Sequence, residues 1–364
     1  MTYLDANATE PLRPDARAAV LAALDLTGNP SAVHRAGRGA RRVLEDARTA
    51  IAARFGAAPA GVVFTSGGTE ANALAIAGLA PGRRIILGGT EHDAVRAAAP
   101  GGVVLPVDGD GVADLDALRR LLDGPPALVC LMLANNETGT IQPVADAAAL
   151  CRAHGALLHV DAVQAAGRID TRLDTLGADS TAISSHKLGG PMGAGALLLA
   201  PGQAVAAAMR GGGQERGRRG GTPSLPAIAG FAAAVAASPA DLRPMRDMLE
   251  RGAVSCGAVV LGGTNRLPNT ACFALPGVRA DTQVIALDLA GIAVSAGAAC
   301  SSGTVARSYV LDAMGLGALA DKAIRVSLPW NATWDDVSAF AAAYAAMAAR
   351  LAPRLRGLLA ERAA

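Results

Sequence analysis

Four short stretches of this 364-residue chain gather residue types that could do chemistry. TSGGTEAN (65–72) lies between an apolar run and a helix-like segment. Its glycines let backbone N–H groups approach a ligand closely, and a helix start adds a positive dipole end. Gly68 and Thr69 therefore either hold a phosphate or form an ordinary tight strand–helix turn. DAVQAAG (161–167) sets Asp161 at the end of another apolar run, where a carboxylate caps the next helix or holds a protonated ring nitrogen. SHKLGGP (185–191) places His186 and Lys187 before glycines. A lysine there is a solvated cation or, when desolvated, a neutral amine able to form a Schiff base. SAGAACSSGT (295–304) holds Cys300 among small residues that favour a loop. Its thiol is a buried small hydrophobe or a nucleophile on a mobile arm. Taken together, the phosphate turn, the strand-end Asp161 and a lysine 26 residues later make the layout that a pyridoxal phosphate site requires.

Such groups need a scaffold that brings loop ends together. GVVF (61–64), RIIL (84–87), GVVLPV (102–107), ALVCLML (127–133), ALLHV (156–160), STAIS (180–184) and GALLLA (195–200) read as strands. Between them, segments such as 71–80, 115–123 and 144–155 read as helices, the last closed by Gly155. This alternation predicts an α/β fold with a mainly parallel sheet covered on both faces, and ligand groups beyond the carboxyl ends of its strands. Near residue 240 the pattern changes, and strands TACFALPG, GIAVSAG and KAIRVSLPW mix with helices. The expected division is a large domain over 16–240 and a smaller α+β domain built from 1–15 and 241–364. A final Ala-rich helix starts near Thr333, where TWDD offers a capping box.

Composition narrows the function classes. With 33 basic and 31 acidic residues the net charge is +2, which gives no broad footprint for nucleic acid or a membrane surface. No apolar run is long enough to span a bilayer, and MTYLDANATE is no signal peptide. The five cysteines are scattered without any CxxC, against a disulfide framework or a zinc site, and a reducing cytoplasm fits them.

The chain resembles the cysteine desulfurases, the NifS/IscS-type branch of the class V aminotransferase family, with the aminotransferase (fold type I) architecture. The resemblance is carried by YLDANAT (3–9), GNPSAVHRAGR (28–38), VFTSGGTEAN (63–72), EHDAV (91–95), ANNETGTIQPV (134–144), HVDAVQAAG (159–167), SSHKLGGPMGAGAL (184–197), GGGQERGRRGGT (211–222), SAGAACSSG (295–303) and IRVSLP (324–329). It implies that Lys187 carries pyridoxal 5′-phosphate and shuttles a proton, that Asp161 pairs with the ring nitrogen, and that Gln164 donates to the ring oxygen. His92 then stacks on the ring and relays protons. Gly68, Thr69, Ser184, Ser185 and His186 form the phosphate cup, and Thr222 reaches it from the second subunit of a homodimer. Asn136 contacts cofactor and substrate, and with Arg325 it holds the carboxylate of L-cysteine. Cys300 is the implied nucleophile, and the other four cysteines read as structural.

The implied reaction converts L-cysteine to L-alanine and passes sulfur, as a persulfide, to an acceptor protein. An iron–sulfur scaffold and a thiolation enzyme both fit that acceptor. No metal belongs to the isolated enzyme, although Cys300 could contact a nascent iron–sulfur cluster on a partner. Selenocysteine lysis or transamination by the same cofactor are the alternatives, with a non-catalytic scaffold of the same fold as the rival from another class. A mobile thiol is superfluous for transamination. The chain departs from the family in a shortened 224–279 region, in SLPWNATWDD after Arg325, and in lacking the tail by which some members meet a scaffold.

Overall fold

The computed structural model describes residues 1–297 and 307–351. Its strands in chain order are β1 (Thr2–Tyr3), β2 (Val62–Thr65), β3 (Arg84–Gly88), β4 (Val103–Leu105), β5 (Ala127–Cys130), β6 (Leu157–Asp161), β7 (Ser180–Ser184), β8 (Gly195–Leu199), β9 (Val259–Val260), β10 (Thr270–Ala274), β11 (Ile292–Ala293), β12 (Ser295–Ala296) and β13 (Ala323–Ser327). Seven of them form one sheet in the order β2-β8-β7-β6-β5-β3-β4. The pairs β7–β6, β6–β5, β5–β3 and β3–β4 are parallel, whereas β8 runs against both of its neighbours. Two reversals cancel, so β2 points the same way as β6 and β7. Thr65, Asp161 and Ser184, each the last residue of its strand, therefore share one edge of the sheet.

The apolar runs are continuous because this sheet is covered twice. Val62 and Phe64 pack into one core cluster with Leu44, Ile51 and Phe55 from the helix side. Val63, between them, packs into another with Leu74, Ile76 and Leu79 of the helix Gly68–Leu79. That alternation follows from the two-residue period of a strand. The expected strands at 102–107 and 127–133 shorten to β4 and β5. Pro106 follows β4 directly and has no N–H to offer the ladder.

The second sheet is antiparallel, ordered β12-β13-β10-β9, with β1 and β11 paired beside it. Arg325 sits mid-strand in β13, opposite Cys272 and Ser295. Its backing is aromatic: Phe273 lies 6.0 Å from Phe340 and 5.4 Å from Tyr344, both pairs edge-on. The capping box expected at Thr333 is present. The Thr333 N–H donates to the Asp336 carboxylate at 2.9 Å, and the Asp336 N–H donates to Thr333 Oγ1 at 3.3 Å.

Between the two sheets runs the N-terminal segment. Ala6 N–H donates to the Ser327 carbonyl at 3.0 Å, Asn7 N–H to Ser327 Oγ at 2.9 Å, and Glu10 N–H to the His186 carbonyl at 2.9 Å. Among the described residues, no helix is long and apolar enough to cross a membrane, and no cluster of His, Cys, Asp or Glu is arranged to hold a metal ion.

Candidate active site

A cavity of about 280 Å³ opens at the sheet edge where β2, β6 and β7 end. Gly68, Thr69, His92, Asn136, Asp161, Gln164, Ser184, His186, Lys187 and Arg325 all line it. Ser185 does not; it is buried behind the wall, where a Cβ on Gly190 would come within 2.2 Å of its Oγ. Thr222 is exposed and borders a separate cleft beside Ser66 and Arg219. Cys300 lies outside the described residues.

Asp161 is the best-supported group in the cavity. One carboxylate oxygen accepts from Asn72 Nδ2 at 2.7 Å and the other from the Val163 N–H at 2.9 Å. Behind Asn72, its Oδ1 meets His159 Nε2 at 2.9 Å, and His159 Nδ1 meets Ser180 Oγ at 2.8 Å. Burial lowers the His159 pKa to about 4, so its ring is neutral. A neutral ring that serves the Asn72 carbonyl must carry its proton on Nε2, which leaves Nδ1 to accept from Ser180. Burial raises the Asp161 pKa, and the Val163 N–H, His92, Asn72 and Lys187 oppose it. The result is a dry carboxylate, fixed in place, suited to a protonated ring nitrogen.

The phosphate-turn geometry demands glycine. A Cβ on Gly68 would fall 2.5 Å from Val163 Cγ2, and one on Gly195 would fall 2.6 Å from the Gly67 carbonyl carbon. The helix Gly68–Leu79 thus starts against the cavity, with Ser184 Oγ buried nearby and, among the described residues, without a hydrogen-bond partner. A buried orphan hydroxyl beside a helix start is a ready anion site. His186 Nδ1 contacts Thr9 Oγ1 at 3.2 Å, and burial with Lys187 and Arg168 lowers its pKa to about 4.

Lys187 follows β7 in a single 3₁₀ turn, and its Nζ donates to the carbonyls of Asn7 at 2.5 Å and Ala8 at 3.0 Å. His92 caps the helix Asp93–Ala98, its Nδ1 accepting from the Ala94 N–H at 3.0 Å, so a neutral ring holds its proton on Nε2. Across the cavity, Arg325 Nη1 donates to the Asn136 carbonyl at 3.1 Å and Nη2 to Asp5 at 2.6 Å. Among the described residues, Arg325 Nε and Asn136 Oδ1 are buried without partners. Arginine suits a carboxylate because its fork can grip both oxygens.

Comparison with known proteins now adds a name for the group. The class V aminotransferase profile matches residues 2–340. A cysteine desulfurase of Cereibacter sphaeroides is 45% identical over 348 residues, covering 90% of each chain. A NifS-like protein from Rickettsia africae superposes with a TM-score of 0.88 at 32% identity, over 95% of this chain and 99% of that one. The structure of SspA in complex with cysteine superposes with a TM-score of 0.80 at 29% identity, over 92% and 100%. The chain belongs to the class V aminotransferase family, in its cysteine desulfurase branch.

Several site residues of this family member escaped the sequence reading. Asn72 and His159 were signalled only as polar residues inside an Ala-rich helix and an apolar strand, which in a core must find partners. Asp5, Asn7 and Glu10 belong to a segment whose place is set by long-range contacts. Glu137 is buried, accepts from Ser308 Oγ at 2.5 Å, and has its pKa raised by burial to about 7. In the GGGQERGRRGGT segment, Glu215 and Arg216 take left-handed backbone angles, φ 48° and 59°. Glu215 is buried in a two-pronged pair with Arg48, at 2.8 and 2.9 Å, and Arg219 pairs with Glu70 at 2.7 Å. Two of the segment's charged side chains are therefore held by ion pairs within the chain.

The remaining thiols are structural by placement. Cys130 lies in β5, Cys272 in β10 and Cys151 in the helix Val144–Ala153, all buried. Burial pushes the Cys151 and Cys272 thiols up to about 12, and pushes Cys130 well above its usual value, with Glu91 and Asp161 adding to the effect. Cys256 is half-buried at the C-terminal end of the helix Arg243–Ser255.

Proposed function

We propose that this cysteine desulfurase uses pyridoxal 5′-phosphate to turn L-cysteine into L-alanine. Its sulfur passes first to Cys300 and then to the thiol of an acceptor protein in the cytoplasm. When bound, the cofactor supplies an electron sink that weakens bonds around the amino acid's α-carbon. The residues fit that group: Gly68, Thr69, Ser184 and His186 surround a phosphate position, and Asp161 offers a desolvated acceptor for the ring nitrogen. Gln164 offers an N–H to the ring oxygen. Lys187 holds the aldehyde carbon and moves the α-proton, while His92 covers the ring and relays a proton through Nε2. Asn136 and Arg325 grip the substrate carboxylate. Cys300, as thiolate, takes the substrate's sulfur: the carbon–sulfur bond breaks, a sulfur–sulfur bond forms, and the carbon left behind gains a proton.

The observation that carries this reading is the convergence of Lys187, Asp161, the Gly68 turn and Arg325 on one cavity from four separate parts of the sequence. We further place residues 16–240 in the cofactor-binding domain, and 1–15 with 241–364 in the domain that carries 295–304. A homodimer would bring Thr222 of each copy to the other's phosphate. The test is direct. Protein purified with the cofactor should be yellow and, given L-cysteine and a reductant, release alanine and sulfide in equal amounts. Cys300→Ala should keep the colour and lose the sulfide. A colourless protein, or alanine formation undiminished in Cys300→Ala, refutes the reading.

A further inference from the structure

Gln164 is held from two sides by groups that cannot exchange roles. Arg168 Nη1 donates to Gln164 Oε1 at 3.1 Å and to the Gln164 carbonyl at 2.7 Å. On the other side, Gln164 Nε2 donates to the Asn7 carbonyl at 3.0 Å. A guanidinium only donates and a carbonyl oxygen only accepts. Turning the amide over would set N–H against N–H and oxygen against oxygen. The amide therefore has a single orientation, and Nε2 keeps a second proton in a residue that lines the cavity.

Arg168 is itself pinned. Its Nη2 donates to Glu10 at 3.0 Å and to the Ala6 carbonyl at 3.4 Å, and the Arg168 and Glu10 side chains are only 8% and 5% exposed. The other Glu10 oxygen accepts from the Trp330 N–H at 2.5 Å. Burial raises the Glu10 pKa and lowers that of Arg168, and their attraction opposes both shifts. His186 and Arg325 are the neighbouring basic groups that feel or oppose the Arg168 charge.

We propose that Arg168 is a positioning residue for the cofactor's ring oxygen. By fixing the Gln164 amide, it presents N–H rather than carbonyl oxygen to an oxygen anion in the cavity. The inference rests on the function proposed above. Without Arg168 only the Asn7 carbonyl at 3.0 Å opposes turning, and the amide would spend part of its time with its own oxygen facing that anion, which is repulsive. An N–H on the ring oxygen favours the anionic form. Losing it raises the pH at which the bound cofactor gives up its proton.

The experiment is a pH titration of the visible absorption band of the cofactor-loaded protein. Arg168→Lys keeps a cation opposite Glu10, but a lysine lacks the rigid fork that reaches Gln164 and Glu10 together. It should fold, bind the cofactor and shift the band's midpoint upward by about one pH unit, the size expected for one hydrogen bond to a charged oxygen. Gln164→Leu should shift it equally, and the double variant should shift it no further. A wild-type midpoint in Arg168→Lys, or two shifts that add, overturns the proposal. Should Arg168→Lys not fold, Glu10→Gln/Arg168→Met leaves no buried charge behind and is read the same way. A wild-type protein with no band at all is a different result, which refutes the proposed cofactor.

Discussion

Asp161 and Arg325 face one cavity with opposite hydrogen-bond inventories. Both Asp161 oxygens are served, and a relay through Asn72, His159 and Ser180 extends behind them. Arg325 is equally buried, yet among the described residues its Nε has no partner, and neither does the neighbouring Asn136 Oδ1. Asp161 ends a strand in a sheet covered on both faces, whereas Arg325 projects from the antiparallel sheet and is steadied by Asp5 across a loop. A site that keeps its ligand gains from geometry fixed in advance, because nothing then reorganises during turnover. A site that must bind and release gains from donors left open, since an unmet buried donor is relieved only when the ligand arrives. The completed wall suits a resident group and the incomplete wall a passing one.

Breaking the completed wall at Lys187, the proposed covalent anchor, should have the largest effect. Lys187→Ala should lower turnover by about 10⁴-fold, the upper range for removing a group that moves protons. Borohydride treatment followed by mass spectrometry should find no cofactor fixed to the chain; a fixed cofactor would reassign the anchor. On the incomplete wall, Arg325→Gln should cut kcat/KM by about 100-fold, chiefly through KM, the size of a lost charged hydrogen-bond pair. An unchanged KM with reduced kcat would move Arg325 from substrate binding to the chemistry itself.

Removing the support behind Asp161 should do less. Asn72→Ala should weaken cofactor affinity by about tenfold, the worth of one hydrogen bond to a charged group, and equilibrium titration of the visible band measures it. The same change should leave the KM for cysteine near its wild-type value if the two walls act independently.

The smallest effect concerns Glu137, which feels Arg325 and His92 as favourable neighbours and Asp93 as an unfavourable one. Its folded-state pKa is raised to about 7, against about 4.3 in an unfolded chain. The native state binds the extra proton, so this group's stabilising contribution is full below about pH 4 and is lost as the pH rises to about 7. Glu137→Gln should remove that loss, so that the variant's Tm gains on the wild type between those limits. A Tm difference independent of pH would show that Glu137 is ionised in the folded protein throughout.

The parts of the site legible in the sequence are those attached to periodic elements. An apolar run fixes where a strand ends, and Asp161, Lys187 and Gly68 follow each run directly, so their shared edge could be read from order alone. Arg325 was legible through its resemblance, since a charge in an apolar strand is otherwise only an anomaly. The N-terminal residues were not legible as site-builders. DANATE has no periodicity, and its contacts with Lys187, Gln164, Asn136 and Arg325 span more than a hundred residues of chain. Thr222 was named only through the resemblance: within one chain it is exposed beside Ser66 and Arg219, away from the cavity, and nothing local marks it as a phosphate contact.

The deep burial of Cys130, Cys151 and Cys272 bears on where sulfur can travel. Sulfane sulfur hops between thiolates, and an interior thiol held in its protonated form neither donates nor receives it. With those three positions silent, a sulfur atom loaded on this protein has no side track through the core. The same insulation shields them from peroxide and from alkylating reagents, so among the four described thiols oxidative damage should register first at the half-buried Cys256.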